Sequence, residues 1–114
     1  MKERDKKGII RIIYHIETIQ TYMVGISMMD EFTSNTLLQD AVVFNLVQIG
    51  EIAKTRLSDN LIKHQPEIPW KKMYGFRNRL VHDYRNIIID IVYDTVIEDL
   101  PTLLNKLKNL IELK

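Results

Sequence analysis

The stretch Arg77-Asn78-Arg79-Leu80-Val81-His82-Asp83-Tyr84 carries two guanidinium groups, an amide, an imidazole, a carboxylate and a phenol. It lies in a chain whose apolar residues mostly recur at three- and four-residue steps, which is the spacing of an amphipathic helix. Each helical residue turns by about 100°, so Arg77, Asn78 and His82 fall within one arc of roughly 140°. The sequence predicts that these three side chains face outward together from one helix.

The opposite side of this predicted helix is apolar. Met73, Phe76 and Leu80 lie between roughly 260° and 320° from Arg77, where they can anchor the helix in a core. Tyr84 lies about 20° from Arg77, at the edge of the polar arc. An amphipathic phenol at that position is expected to bury its ring and keep its hydroxyl in water.

Composition indicates an ordinary globular protein. The chain has 114 residues, of which 46% are hydrophobic and 27% charged, so a single domain over residues 1–114 is expected. Cysteine is absent, which excludes disulfides and thiolate zinc sites and agrees with a cytoplasmic setting. The first residues alternate in charge, unlike a signal peptide, and no apolar run reaches membrane-spanning length, so no membrane partner is expected.

Positive charge is concentrated in one segment of the sequence. The net charge is only +1, which predicts weak nonspecific affinity for nucleic acids. Between residues 70 and 85, five cations accompany one acid, a local balance of +4, and this is the only strongly basic segment. The cations are Lys71, Lys72, Arg77, Arg79 and Arg85. Such a patch around a histidine can attract a phosphate-bearing ligand; the alternative is a solvated helix face.

Hydrophobic periodicity predicts helices along nearly the whole chain. The expected elements are a helix from Glu3 to Met29, a largely apolar central helix from Thr36 to Leu57, a brief helix within 58–70, a main helix from Trp70 to about Tyr84, and a last helix after Asp90. Pro101 is expected to kink the last helix near Glu98 and Asp99. The predicted architecture is an all-α bundle of four or five helices, whose large apolar inventory favours a dimer.

Three polar residues interrupt the central helix. Asn45, Gln48 and Glu51 recur at three-residue steps within an otherwise apolar element. If they are buried they need partners, and Glu51 can then face the cluster around Arg77. If they are exposed they mark the solvent edge of the helix, and the sequence leaves both interpretations open.

Other residues give weaker signals. His15 lies off the apolar stripe of the first helix and His64 lies in a connection, so both are predicted to be surface residues. Together with His82 they occupy different elements without paired-ligand spacing, which disfavours a metal-dependent hydrolase. Gly75 is predicted to let another helix approach. The β-branched run 87–89 is not expected to form a strand, because no second strand is available to pair with it.

The motif resembles that of a known superfamily. Arg-Asn-x-x-x-His within a small helical bundle resembles the HEPN superfamily, and Arg-x4-His-x-Tyr, here Arg77, His82 and Tyr84, resembles its HepT branch. The flanking segments that also look like this family are Gln48-Ile49-Gly50-Glu51-Ile52-Ala53-Lys54, Trp70, Asp94-Thr95 and Asp99-Leu100-Pro101. The resemblance therefore covers most of the chain.

The resemblance implies a metal-independent endoribonuclease that acts as the toxin of a type VII-like toxin–antitoxin system. In that family the active sites form where the motif helices of two protomers meet. The partner is a small nucleotidyltransferase antitoxin of the MNT type, which silences the toxin by transferring AMP to the motif tyrosine, here Tyr84. No cofactor is implied.

The residue types are compatible with this chemistry. Metal-free RNA cleavage needs a group that titrates near neutral pH, which favours His82, and a fixed planar cation for the charge on phosphorus oxygens, which favours Arg77. Asn78 can orient the imidazole or the phosphate. One motif looks incomplete for acid–base catalysis, whereas two motif helices across a twofold axis would supply two histidines.

Two other functions remain open from the residues alone. The basic cleft can belong to a non-catalytic module that binds a nucleotide or the nucleotidyltransferase, which would not need an imidazole at position 82. The chain can also be a dimeric bundle in which Arg77 and His82 only form ion pairs with Glu51 or Asp83.

Overall fold

The computed structural model describes residues 1–84, 87 and 89–112, and this part of the chain is all-α. In chain order the elements are α1 (Glu3–Tyr22), α2 (Met29–Thr33), α3 (Thr36–Thr55), α4 (Asp59–His64), α5 (Trp70–Asp83), α6 (Ile89–Asp94), a π turn (Thr95–Asp99) and α7 (Leu100–Glu112). Four long elements, namely α1, α3, α5 and the continuous α6–π–α7 segment, build the bundle, and α2 and α4 are short. The predicted all-α helical bundle is confirmed. No helix in the described ranges is long and apolar enough to cross a membrane.

α3 is the central helix of the bundle. Its most extensive contacts are with α5 and α1, and α7 packs against α1. The largest side chains that are completely buried are Phe32, Ile9, Ile12, Ile16, Ile19, Leu107, Val42 and Val92. The core therefore lies where α1, α3 and the last helical segment meet, and α5 lies against α3 with its polar arc at the surface.

The first helix ends well before the predicted Met29. Gly25 has a φ of +89°, a left-handed conformation that glycine adopts without strain, and a separate short helix, α2, begins at Met29. Glu31 fixes the start of α2, because its Oε1 accepts hydrogen bonds from the backbone N–H groups of Ser27 and Met28 at 2.8 and 3.0 Å. These hydrogen bonds lower the pKa of the Glu31 carboxyl below its usual value, and the bond from the Ser27 N–H has the largest effect.

His15 is buried, so the prediction of a surface position is wrong. The residue is 5% exposed, and its Nδ1 lies 2.8 Å from Asn45 Oδ1. Asn45 Nδ2 donates to the Ala41 carbonyl at 2.9 Å, which makes Oδ1 the acceptor and places the proton on His15 Nδ1. Apolar periodicity missed this residue because it is buried through a polar partner on α3 rather than through apolar contacts.

Two helices approach closely at Gly50 and not at the predicted Gly75. A Cβ atom at position 50 would overlap Arg77 Cβ and lie 2.7 Å from the Met73 carbonyl oxygen. A Cβ atom at position 75 would meet nothing within 4 Å, so the prediction for Gly75 is wrong. The missing side chain at Gly50 lets α5 lie against α3 at the level of Arg77.

The last helix is interrupted at the predicted place. Proline lacks an N–H and its ring displaces the carbonyl four residues back, which is Ile97 for Pro101. The chain accommodates Pro101 with the π turn, in which the Leu100 N–H donates to the Thr95 carbonyl five residues back. Within the run 87–89, α6 begins at Ile89 and residue 88 lies outside the described residues.

Candidate active site

Arg77 is fixed by two side chains. Its Nη2 forms an ion pair with Glu51 Oε1 at 2.9 Å, and its Nη1 donates a hydrogen bond to Asn78 Oδ1 at 2.9 Å. The predicted contact between Glu51 and Arg77 is therefore observed, and it joins α3 to α5. The Arg77 side chain is 23% exposed, so the guanidinium lies at the edge of the protein rather than in open solvent.

Gly50 explains why this arrangement forms. Because residue 50 has no side chain, the Cβ of Arg77 lies directly against the α3 backbone. Glu51 is the next residue of α3, and its side chain therefore reaches the guanidinium without spanning a gap. The sequence analysis quoted Gly50 only as part of the family pattern, and its packing role could not be read from periodicity.

The Arg77 guanidinium still has unused donors. An arginine carries five N–H groups, and two of them are used by Glu51 and Asn78. The Nε atom is buried and has no hydrogen-bond partner among the described residues. An unsatisfied buried donor costs about 1–3 kcal/mol, and the N–H groups of Arg77 that remain for a ligand are the second ones on Nη1 and Nη2.

His82 lies on the same helix as Arg77 but does not touch it. The residue is exposed and makes no hydrogen bond to the described part of the protomer. Asn78 accepts a hydrogen bond from Arg77, so within one protomer its observed contact is with the guanidinium and not with the imidazole. The imidazole of His82 is accordingly accessible to a ligand or to a second copy of the chain.

Tyr84 caps the C-terminal end of α5 and is half-buried. Its hydroxyl donates to Asp40 Oδ1 at 3.2 Å, a contact between α5 and the first turns of α3. Burial, then the hydrogen bond and the negative charge of Asp40, raise the pKa of the Tyr84 phenol above its ordinary value. Asp40 was missed by the sequence analysis because a single exposed carboxylate far away in the sequence gives no signal.

Another cavity lies elsewhere on α5. It has a volume of about 630 Å³, and Phe76 and Arg79 line it together with Ile91 and Leu103. Arg77, Asn78, His82, Glu51 and Tyr84 are all absent from its lining. Two cations of the basic segment, Lys72 and Arg79, thus face this cavity rather than Arg77. Arg85 lies outside the described residues.

Within one protomer, the groups available for chemistry are the guanidinium of Arg77 and the imidazole of His82. A half-buried, oriented guanidinium can bind a phosphate, and one exposed imidazole on the same helix arc can exchange a proton. No group of three or more His, Cys, Asp or Glu side chains that could hold a metal occurs in residues 1–84, 87 and 89–112. The guanidinium and the imidazole are side chains suited to phosphate chemistry.

Comparison with known proteins points the same way. Residues 12–110 match the HepT-like family, described as ribonuclease HepT-like. The chain is 31% identical to "Probable ribonuclease HepT" of Thermococcus cleftensis, over 84% of this chain and 94% of that protein. It is 35% identical to "Putative RNase MJ0127" of Methanocaldococcus jannaschii, over 73% of this chain and 68% of that protein. It is 30% identical to "Putative RNase TTE0752" of Caldanaerobacter subterraneus subsp. tengcongensis, over 89% and 88%. No solved structure gives a significant match.

An all-α bundle with Arg-x4-His-x-Tyr on one of its main helices places the protein in the HEPN class. With the family match over residues 12–110, the chain belongs to the HepT-like ribonuclease family. The resemblance inferred from the motif and its flanking segments is confirmed.

Proposed function

We propose that this protein is a metal-independent endoribonuclease and the toxin of a type VII-like toxin–antitoxin pair. The observation that carries the proposal is the Arg77 guanidinium, which Glu51 and Asn78 hold on the same helix as the exposed His82. The family and the names of the relatives support RNA as the substrate.

Each site residue has a role in this reaction. Cleavage without a metal removes the proton of the 2′-hydroxyl and protonates the leaving oxygen, and His82 exchanges one of these protons. The remaining N–H groups of Arg77 donate to the phosphorus oxygens as negative charge develops on them. Asn78 and Glu51 act as positioning residues, because they orient the guanidinium before substrate arrives.

The experiment that tests the proposal is cleavage of a mixed RNA pool by the purified protein in EDTA. We expect cleavage to proceed, because no step uses a metal. Intact-mass measurement of the same preparation establishes whether Tyr84 is unmodified. Absence of cleavage by unmodified protein would overturn the nuclease and favour the module that only binds nucleotide or partner.

The composite site requires a homodimer, and exposed apolar side chains beside Glu51 and Arg77 support one. Leu37 is 82% exposed and Phe44 60% exposed on α3. With Glu51 they follow each other at seven-residue steps, so all three share one face of α3. Val81, one helical turn after Arg77 on α5, is 48% exposed. A second copy on this face would bury these side chains and bring a second His82 to the site.

Phe44→Glu is expected to convert the dimer to a monomer, because the carboxylate would be buried against apolar groups of the second copy. Light scattering measures the mass, and the RNA assay should show cleavage falling with it. Ile97→Glu is the matched control, since Ile97 is 44% exposed on the π turn. A Phe44→Glu protein that remains dimeric and active would exclude this face as the interface.

Silencing by the antitoxin is proposed to occur at Tyr84. Its hydroxyl lies at the protein edge, next to Asp40 and at the end of the helix that carries Arg77 and His82. An adenylyl group there would add bulk and a negative phosphate beside the site, where it competes with RNA for Arg77.

Incubation with an MNT-type nucleotidyltransferase and ATP is expected to add adenylyl mass to the wild type and none to Tyr84→Phe. Tyr74→Phe is the matched control, because Tyr74 is also half-buried on α5. Peptide mapping by mass spectrometry locates the group. Equal labelling of wild type and Tyr84→Phe would assign the modification to another residue.

A further inference from the structure

Four cations surround a concave surface at the end of the bundle away from Tyr84. Arg4, Lys7 and Arg11 of α1 and Arg56 at the end of α3 line it together with Gly8, and its volume is about 490 Å³. We call the concave surface lined by these four cations the basic groove. No acidic residue among those that the structure describes lines it. Local charge along the sequence does not reveal this cluster, because Arg56 lies far along the chain from the three cations of α1.

The fold explains how the basic groove is assembled. Asp5 accepts hydrogen bonds from the Ser58 backbone N–H and hydroxyl at 2.7 and 2.6 Å, which fastens the start of α1 to the end of α3. A Cβ atom at Gly8 would lie 2.7 Å from Leu57 Cδ2, so glycine lets α1 lie close there. As a result the Nε of Arg4 donates to the Arg56 carbonyl at 3.2 Å.

The cations of the basic groove form no ion pair with an acid among the described residues. The ion pairs found in this part of the chain, Arg77–Glu51 and Lys108–Glu17, do not include them. Four cations held around one concave surface repel each other, and an anion from outside relieves that repulsion. The groove therefore favours a ligand with several negative charges.

An exposed aromatic ring continues the same side of α1. Arg4, Lys7, Arg11 and Tyr14 follow each other at three- and four-residue steps, so they share one face. Tyr14 is 52% exposed, and the Arg11 guanidinium lies over its ring at 4.5 Å from the centroid. A row of cations that ends in an exposed tyrosine suits a single-stranded nucleic acid, whose phosphates pair with cations and whose bases stack on aromatic rings.

We propose that the basic groove and Tyr14 bind single-stranded RNA outside the cleavage site. This inference rests on the proposed nuclease function and names a second contact surface for its substrate. Arg56 follows Glu51 by five residues, about 7.5 Å along the axis of α3 and about 140° around it, so the groove lies on a different side of α3 from Arg77. Contacts between cations and phosphates do not depend on the RNA sequence. Because the net charge of the protein is only +1, we expect the electrostatic attraction for RNA here to come from this local cluster.

The test is the salt dependence of RNA binding by Lys7→Gln/Arg11→Gln. Fluorescence anisotropy is measured with a labelled, long 2′-O-methyl RNA, which lacks the 2′-hydroxyl nucleophile and cannot be cleaved. Each phosphate contact to a single strand contributes about 0.7 to the slope of log K against log salt, so the slope should fall by about 1.4. Both positions are exposed and glutamine is a good helix former, so the fold should persist, which circular dichroism checks.

The matched control is Lys63→Gln/Lys106→Gln, which removes two cations that belong neither to the basic groove nor to the segment 70–85. Its slope should equal that of the wild type. Equal slopes for all three proteins, or an equal fall in both variants, would overturn the basic groove as an RNA site. Tighter binding to vesicles of anionic lipid than to RNA, lost in Lys7→Gln/Arg11→Gln, would overturn it in favour of a membrane surface.

Tyr14→Leu separates stacking from charge. Loss of a stacked base should weaken binding by roughly fivefold or more while the salt slope stays unchanged. The binding assay does not require cleavage. If the protein binds RNA with these effects but does not cleave it, the RNA-binding proposal stands and the nuclease proposal fails. If the protein cleaves RNA but shows none of these binding effects, the nuclease proposal stands and the proposed RNA site in the basic groove fails.

Discussion

Replacing His82 with alanine is expected to reduce RNA cleavage in EDTA by roughly 10²- to 10⁴-fold, the range that a positioned proton-transfer group contributes. The imidazole is exposed and makes no hydrogen bond to the described part of the protomer, so its removal leaves no buried partner unsatisfied. The free energy of unfolding should therefore change little, and the loss should appear in the rate of the chemical step.

His64→Ala is the control for His82→Ala. His64 is also exposed, and its Nδ1 contacts only the Asn60 carbonyl of its own short helix at 2.8 Å. Cleavage rates are compared at matched circular dichroism and matched mass in light scattering. If His82→Ala cleaves as fast as His64→Ala, position 82 has no part in proton transfer and the observed activity comes from another residue or another protein.

Gly50→Ala is expected to destabilise the fold by about 3 kcal/mol, at the upper end of what overpacking costs. The added methyl group would overlap Arg77 Cβ and lie 2.7 Å from the Met73 carbonyl oxygen. Both obstacles are tied to the backbone of α5, so neither can rotate away, and α3 and α5 must separate. Cleavage should fall as well, because Glu51 would no longer meet Arg77 at 2.9 Å.

Gly75→Ala provides a matched comparison for Gly50→Ala, since both glycines lie inside helices. A Cβ atom at Gly75 meets nothing within 4 Å, so alanine should stabilise the protein by up to about 1 kcal/mol through helix propensity. Urea titration of both variants measures the free energy of unfolding, which should fall for Gly50→Ala and rise for Gly75→Ala. A Gly50→Ala protein as stable as the wild type would show that α3 and α5 are farther apart at this point.

The elements that depend on local sequence were predictable. Periodicity placed α3 and α5 within a few residues of their observed ends, and Pro101 marked the interruption of the last helix. Arg77 and Asn78 could be assigned to one arc because helical geometry alone relates neighbouring positions. Contact between Glu51 and Arg77 was one of two interpretations that the sequence left open, and the ion pair at 2.9 Å decides for it although the Glu51 side chain is 42% exposed.

The contacts that depend on packing between distant segments were not predictable. His15 is buried because Asn45 on another helix accepts a hydrogen bond from its imidazole, and Tyr84 meets Asp40 across the α3–α5 contact. Neither partner is marked by spacing or composition. The close approach at Gly50 was missed for the same reason, because two helix-interior glycines look alike until the neighbouring helix is in place.

The π turn before Pro101 fixes the rotational phase of everything that follows it. Its hydrogen bond spans five residues instead of four, so the segment holds one residue more than an unbroken α-helix would. If the turn became α-helical while keeping that residue, α7 would rotate by about 100° about its axis and carry Leu103 and Leu107 away from the core, whereas deleting the residue leaves their phase unchanged. In an alignment, a relative with a continuous helix here should therefore show a one-residue gap between Thr95 and Asp99 rather than in a loop.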